Sequence, residues 1–304
     1  MSITSTYRKS SARGAAGYYL IMLAGIALVF ALASCTKDIS INLPPAEERL
    51  VVEGHISTGQ PPYVLLSKNS DFYSTFYLDS IASFYVHDAV VIVSDGSNTD
   101  TLTELSFDTA GVTVSAYVGF GIIGQEEKTY TLTVYAEGKT LTAVTTIPKA
   151  NPLDSIWWQP ANTDIPDDTL IRLVCRYSDP VQPGNHVRYF TKVNSEPFYP
   201  GYFSTFSDDL VNGTTFNFSL DRGVNRADSN LFDDYGLFHR GDTIAVGWYG
   251  IDKAQYDFWR TLESEINGQG NPFATPVFVQ GNINGGLGIW GGYAPTYKSL
   301  IVPK

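Results

Sequence analysis

The most reactive side chains in this sequence are its two cysteines, Cys35 and Cys175. Cys35 follows Ala33 and Ser34 at the end of the uncharged run YYLIMLAGIALVFALA. Cys175 sits inside LIRLVCRY, a strand-like apolar stretch that suits a small buried hydrophobe. A reactive thiol needs surroundings that lower its pKa, and none is legible there. The acids gather as Asp167-Asp168, Asp208-Asp209, and Asp228 with Asp233-Asp234. Oxygen-rich loops can bind calcium, but none of these has EF-hand spacing or its closing glutamate. His55, His87, His186 and His239 lack ligand spacing, and HExxH, CxxC and GxSxG are absent. Gly286-Leu287-Gly288-Ile289-Trp290-Gly291 matches GxGxxG, but a dinucleotide site needs a helix start after it and an acid about 20 residues on. Here Gly-Tyr-Ala-Pro follows and the glycines suit a strand or loop that lets Trp290 and Tyr293 pack. Paired carboxylates for glycoside hydrolysis require a separation that only a fold can set.

Neither a catalytic motif nor a metal or cofactor site is therefore expected. What remains is aromatic. Tyrosine and tryptophan suit contact surfaces because an apolar ring carries a polar tip. The segment PFYPGYFSTF has two prolines and no charge, and Tyr199, Tyr202, Phe203 and Phe206 are the expected binding surface. The bland alternative places these rings in a β core.

The first residues read as an export leader. Arg8, Lys9 and Arg13 precede the apolar run, and small residues precede Cys35. A bilayer-spanning helix needs roughly 20 apolar residues, more than this run supplies. Leu32-Ala33-Ser34-Cys35 resembles the bacterial lipobox, which implies cleavage of residues 1–34 and acylation of Cys35. Several acyl chains, at about 0.8 kcal/mol per buried methylene, hold a protein stably on a membrane. Thr36 stands where an aspartate would imply inner-membrane retention, so the resemblance points to the outer membrane. Lys37-Asp38 faintly resembles a surface-export signal, and the face remains open. Residues 35–48, with Pro44-Pro45 and few apolar groups, read as a tether.

The formal net charge is −11, and the leader carries no acid, so its loss leaves the chain more negative. That opposes binding to nucleic acid or anionic lipid. Aromatic residues make up 13% of the chain, and Thr, Val, Tyr, Phe and Gly outweigh the helix formers, which predicts a mainly β protein. Roughly seven strand-like runs with turn signals over 49–148 predict a sandwich. TYTLTVYAEGKTLTAVTTIP is the clearest hairpin, turning at Glu137-Gly138, and Asp95-Gly96 turns another. Residues 149–304 predict a second β-rich domain. In it, TTFNFSL places Phe216 and Phe218 on one face. It carries one helix near 253–266, capped by Asp252 with Gln255 in a capping-box position. Ala254, Phe258, Leu262 and Ile266, with Trp259 beside them, should form its buried face.

LPPAEERLVVEGHIS, SDGSNTDTLTEL, YDFWRTLE, GNPFATP and GNINGGLGIWGGY resemble the lipoproteins grouped as domain of unknown function 4249 (DUF4249). That resemblance covers nearly all of the chain beyond Cys35. It implies an outer-membrane lipoprotein, often encoded beside a TonB-dependent transporter, with no catalytic residues to carry over. The segment 49–148 also resembles immunoglobulin-like or transthyretin-like modules. The functional expectation is a non-enzymatic, lipid-anchored accessory of a TonB-dependent transporter. A free-standing glycan-binding or adhesive lipoprotein is the alternative.

Overall fold

Alternation of β-branched and aromatic residues with polar ones gives strands that bury one face. The computed structural model describes residues 47–70, 82–109, 112–162, 169–226 and 236–304, together with Met22. The rest of the leader, Cys35, most of the tether, and Asp167, Asp168, Asp228, Asp233 and Asp234 lie outside the described residues. Ala46–Lys304 forms one compact unit.

Its first half contains β1 (Leu50–Ser57), β2 (Tyr63–Lys68), β3 (Val90–Ser94), β4 (Thr99–Thr101), β5 (Thr103–Thr109), β6 (Val112–Val118), β7 (Thr129–Ala136) and β8 (Lys139–Thr146). The hairpin of β7 and β8 pairs Ala136 with Lys139. Glu137 and Gly138 take positive φ angles of 50° and 72° at its turn, as a two-residue hairpin requires. Asp95-Gly96 turns between β3 and β4, which pair Ser94 with Thr99.

The second half adds β9 (Ser155–Pro160), β10 (Leu170–Ser178), β11 (His186–Val193), β12 (Tyr199–Ser207), β13 (Thr215–Leu220), β14 (Phe238–His239), β15 (Thr243–Ile251), the helix α1 (Lys253–Gly268) and β16 (Leu287–Ile301). The fold is mainly β and sandwich-like. One sheet runs β12-β11-β15-β16-β1-β2-β6-β5; a second runs β4-β3-β7-β8; in a third, β10 pairs with β13, β14 and β9.

The long sheet crosses the division expected near 148–149. β16, the last strand, pairs in parallel with β1, the first, and antiparallel with β15. Segment 49–148 is thus not closed by its own strands. The physical reason lies in its core, where Trp290 from β16 is fully buried among Val52, Val64, Leu132 and Leu141. Its indole Nε1 donates to the Tyr130 carbonyl at 3.0 Å. A second core, around Ile171, Leu173, Tyr189, Phe238 and Trp248, fills the space between the long sheet and the β10 sheet. The GxGxxG stretch is the start of β16. Gly288, at φ 102°, lies so close to β1 that a Cβ would fall 1.9 Å from the Val52 carbonyl oxygen.

Helix α1 starts as expected and packs differently. Asp252 caps it, accepting from Gln255 N at 2.9 Å. The reciprocal capping-box bond is absent because the Gln255 side chain donates instead to the Gly292 carbonyl. Ala254, Leu262 and Ile266 are only half-buried, whereas Gln255, Phe258, Thr261 and Glu263 are buried. The helix lies on a strand face that supplies polar partners, so its buried stripe is displaced from the apolar one.

Candidate functional site

Buried β11 is covered on both faces. Val187, Tyr189 and Val193 enter the second core, while His186 and Arg188 are also buried. The Arg188 guanidinium lies 3.4 Å from the Trp259 ring centroid, and its Nε donates to Ser204 Oγ at 3.1 Å. Ser204 is fully enclosed; its backbone N–H donates to Glu263 Oε2 at 2.8 Å and its hydroxyl to Glu263 Oε1. Burial opposes both charges, lowering the Arg188 pKa and raising that of Glu263. This network ties α1 to the edge strand β12. It fixes a bulge there: β12 advances from Pro200 to Thr205 while β11 advances only from Phe190 back to Arg188. A bulge re-aims side chains at a sheet edge.

The bulge distributes the four expected contact residues. Phe203 is 56% exposed and points away from the core, with Tyr202 edge-on to it at 5.5 Å between centroids. Tyr202 lies under the Arg226 guanidinium, 5.4 Å from its ring centroid, and Tyr199 is half-buried. Phe206 alone enters a cleft. It stacks on Trp248 at 5.8 Å and on Tyr189 at 5.7 Å. The structure does not gather all four into one patch.

The cleft, about 330 Å³, opens at the end of the second core between β10 and β13 on one side and β11, β12 and β15 on the other. Trp248 also meets Tyr177 at 5.2 Å and Phe218 at 5.8 Å, and Phe216 lies 5.5 Å from Phe218. The pairing of Phe216 and Phe218 on one face of β13 was the local signal for this wall. Tyr177 and Trp248 lie in distant strands, and nothing local marks them as its neighbours.

The rim is acidic. Asp208 Oδ2 accepts from Gly184 N at 2.8 Å, Asn185 N at 2.9 Å and Asn185 Nδ2 at 3.1 Å. Burial would raise this carboxyl, but those hydrogen bonds outweigh it and hold the pKa below the usual value. Asp179 accepts from Gly213 N at 3.0 Å. Burial, reinforced by the neighbouring Asp208 charge, pushes its pKa up. Asp209 is exposed and accepts from Ser207 Oγ at 2.7 Å.

Elsewhere, Cys175 is fully enclosed and burial pushes its thiol pKa up to about 12. Such a thiol stays protonated and unreactive at neutral pH. Among the described residues no group of three or more His, Cys, Asp or Glu is placed to hold a metal ion. The geometry offers an aromatic-lined cleft with carboxylates held at its rim by backbone and side-chain donors.

Among curated proteins none matches the chain. The family model described as "Domain of unknown function (DUF4249)" matches residues 36–299, and the chain belongs to that family.

Proposed function

We propose that this protein is a non-enzymatic ligand-capture lipoprotein, held at the outer membrane by acyl chains on Cys35 and serving a TonB-dependent transporter. The observation that carries the capture role is the ring-lined cleft between two sheets. Binding sites for small ligands are concave and mostly apolar, with a few placed polar groups. A tether keeps such a site at high effective concentration beside a membrane partner.

Three measurements test the parts separately. Mass spectrometry of the natural chain is expected to find an acylated Cys35 at the N-terminus; an unmodified thiol or a retained leader overturns the anchor. Extraction in mild detergent is expected to bring down a large β-barrel, whereas a clean monomer counts against the transporter role. Native mass spectrometry after exposure to envelope extract is expected to find a small molecule on the wild type and much less on Phe206→Ala. Equal retention, or none, overturns capture at the cleft.

A glycan-binding surface is the second reading. It is favoured by a separate exposed row in which Phe198 lies 5.8 Å from Tyr297 and Tyr297 lies 5.8 Å from Tyr249. Tyr297 is 58% exposed and its hydroxyl lies 2.9 Å from that of Tyr249. A glycan array with the full chain tests it. Replacing Phe198 and Tyr297 by alanine is expected to abolish any signal, and an unchanged signal counts against this surface.

A further inference from the structure

We infer that the cleft receives an organic cation with an apolar body, such as an amine or quaternary ammonium compound. This rests on the ligand-capture reading and names its ligand class. The faces of aromatic rings carry negative electrostatic potential, so a cation within about 6 Å of a ring centroid is attracted to it, most strongly when water is excluded. Tyr177, Phe206, Phe218 and Trp248 all line the cleft, and the other three rings pack about Trp248 at 5.2–5.8 Å between centroids. The cleft wall is therefore largely aromatic.

Charge at the mouth has the matching sign. Asp179, Asp208 and Asp209 line the cleft, and no lysine, arginine or histidine lines it. Among the described residues none of these three carboxylates is in a salt bridge. Asp179 and Asp208 are 8% and 4% exposed, close enough for one charge to act on the other. Like charges held together in a poorly solvated rim repel, and a cation between them relieves that repulsion. The net charge of −11 draws cations toward the mouth as well.

An anion fits worse, since it meets three carboxylates. A neutral sugar competes, since its hydroxyls can donate to those carboxylates and its face can stack on the rings, with the Trp248 indole N–H as a donor. Paired charged and neutral probes separate the two classes. A bare metal ion lacks a cluster of three ligands among the described residues.

The test is calorimetry on the full-length chain in non-ionic detergent, comparing choline with its neutral isostere dimethylbutanol, in which carbon replaces the charged nitrogen. Choline is expected to bind at least tenfold more tightly. The Asp179→Asn/Asp209→Asn variant, with its fold checked by thermal melting, is expected to lose about tenfold for choline and nothing for the isostere. Equal binding of the two probes overturns the cation inference and leaves capture at the cleft standing. Absence of choline binding by the folded wild type also overturns it. Failure of the underlying reading looks different: the native mass-spectrometric experiment then retains no small molecule of any charge.

Discussion

Gly54 and Trp290 face each other across β1 and β16 with no space for a methyl group between them. A Cβ on Gly54 would sit 2.5 Å from the Trp290 ring, which is buried and held by its bond to Tyr130. Gly54→Ala is expected to destabilise the fold by about 1–3 kcal/mol through overpacking, and Trp290→Ala by about 3–5 kcal/mol, read by denaturant unfolding. His55 shows what burial does to a titratable group. It stacks between Tyr293, at 4.2 Å, and Tyr63, at 5.1 Å. Burial, aided by the Arg188 charge, lowers its pKa to about 4. The depressed value means that the folded protein resists a proton the unfolded chain accepts. Its contribution is present above the unfolded value near 6.5 and is lost as the pH falls through about 4, on the order of 2–3 kcal/mol. His55→Phe keeps the stack and removes the proton site. Between pH 7 and pH 4.5 its melting temperature is expected to fall less than that of the wild type; parallel curves would contradict this account.

At the scale of elements, α1 illustrates how far periodicity reaches. Asp252 marks its start in both sequence and structure, and the helix runs on to Gly268. The apolar stripe through Ala254, Phe258, Leu262 and Ile266 identified a helix but not the face it buries. Glu263 is 4% exposed because Ser204 and Arg188 await it on strands some 59 and 75 positions earlier. Glu263→Ala is expected to cost about 3–5 kcal/mol, since the buried Arg188 charge is left without its carboxylate and Ser204 without its acceptor. Replacing both with apolar residues of similar volume is expected to recover most of that loss. A double-mutant cycle by thermal melting checks it, and additive losses would show that the pair does not act as a unit. The same lesson applies to β12. PFYPGYFSTF reads as one aromatic surface, yet a bulge set by Ser204 sends Phe206 toward Trp248 and Phe203 toward solvent.

At the scale of the whole molecule, β16 is the strand on which both halves depend. It lies between β1 and β15 and supplies Trp290 to the first core. The full chain is therefore expected to melt in one cooperative transition by calorimetry. A chain ended after residue 286 is expected to lose that transition altogether rather than retain a folded 49–148 module. Survival of that module as an independent melting unit would restore the two-domain division.

Local order in the chain determined much of this protein. Alternation and turn chemistry specified the hairpins at Asp95-Gly96 and Glu137-Gly138, composition specified a mainly β fold, and the C-terminal glycine block carried the family resemblance. Those signals are short-range, because backbone propensity, turn geometry and side-chain alternation act over a few residues. Tertiary structure alone decided that the last strand joins the first, that a charged network lies beneath α1, and that Tyr177, Phe206, Phe218 and Trp248 share a cleft. Each of these depends on contacts between residues far apart in the chain. Parallel pairing, buried ion pairing and ring convergence leave no periodic trace in the segments that make them.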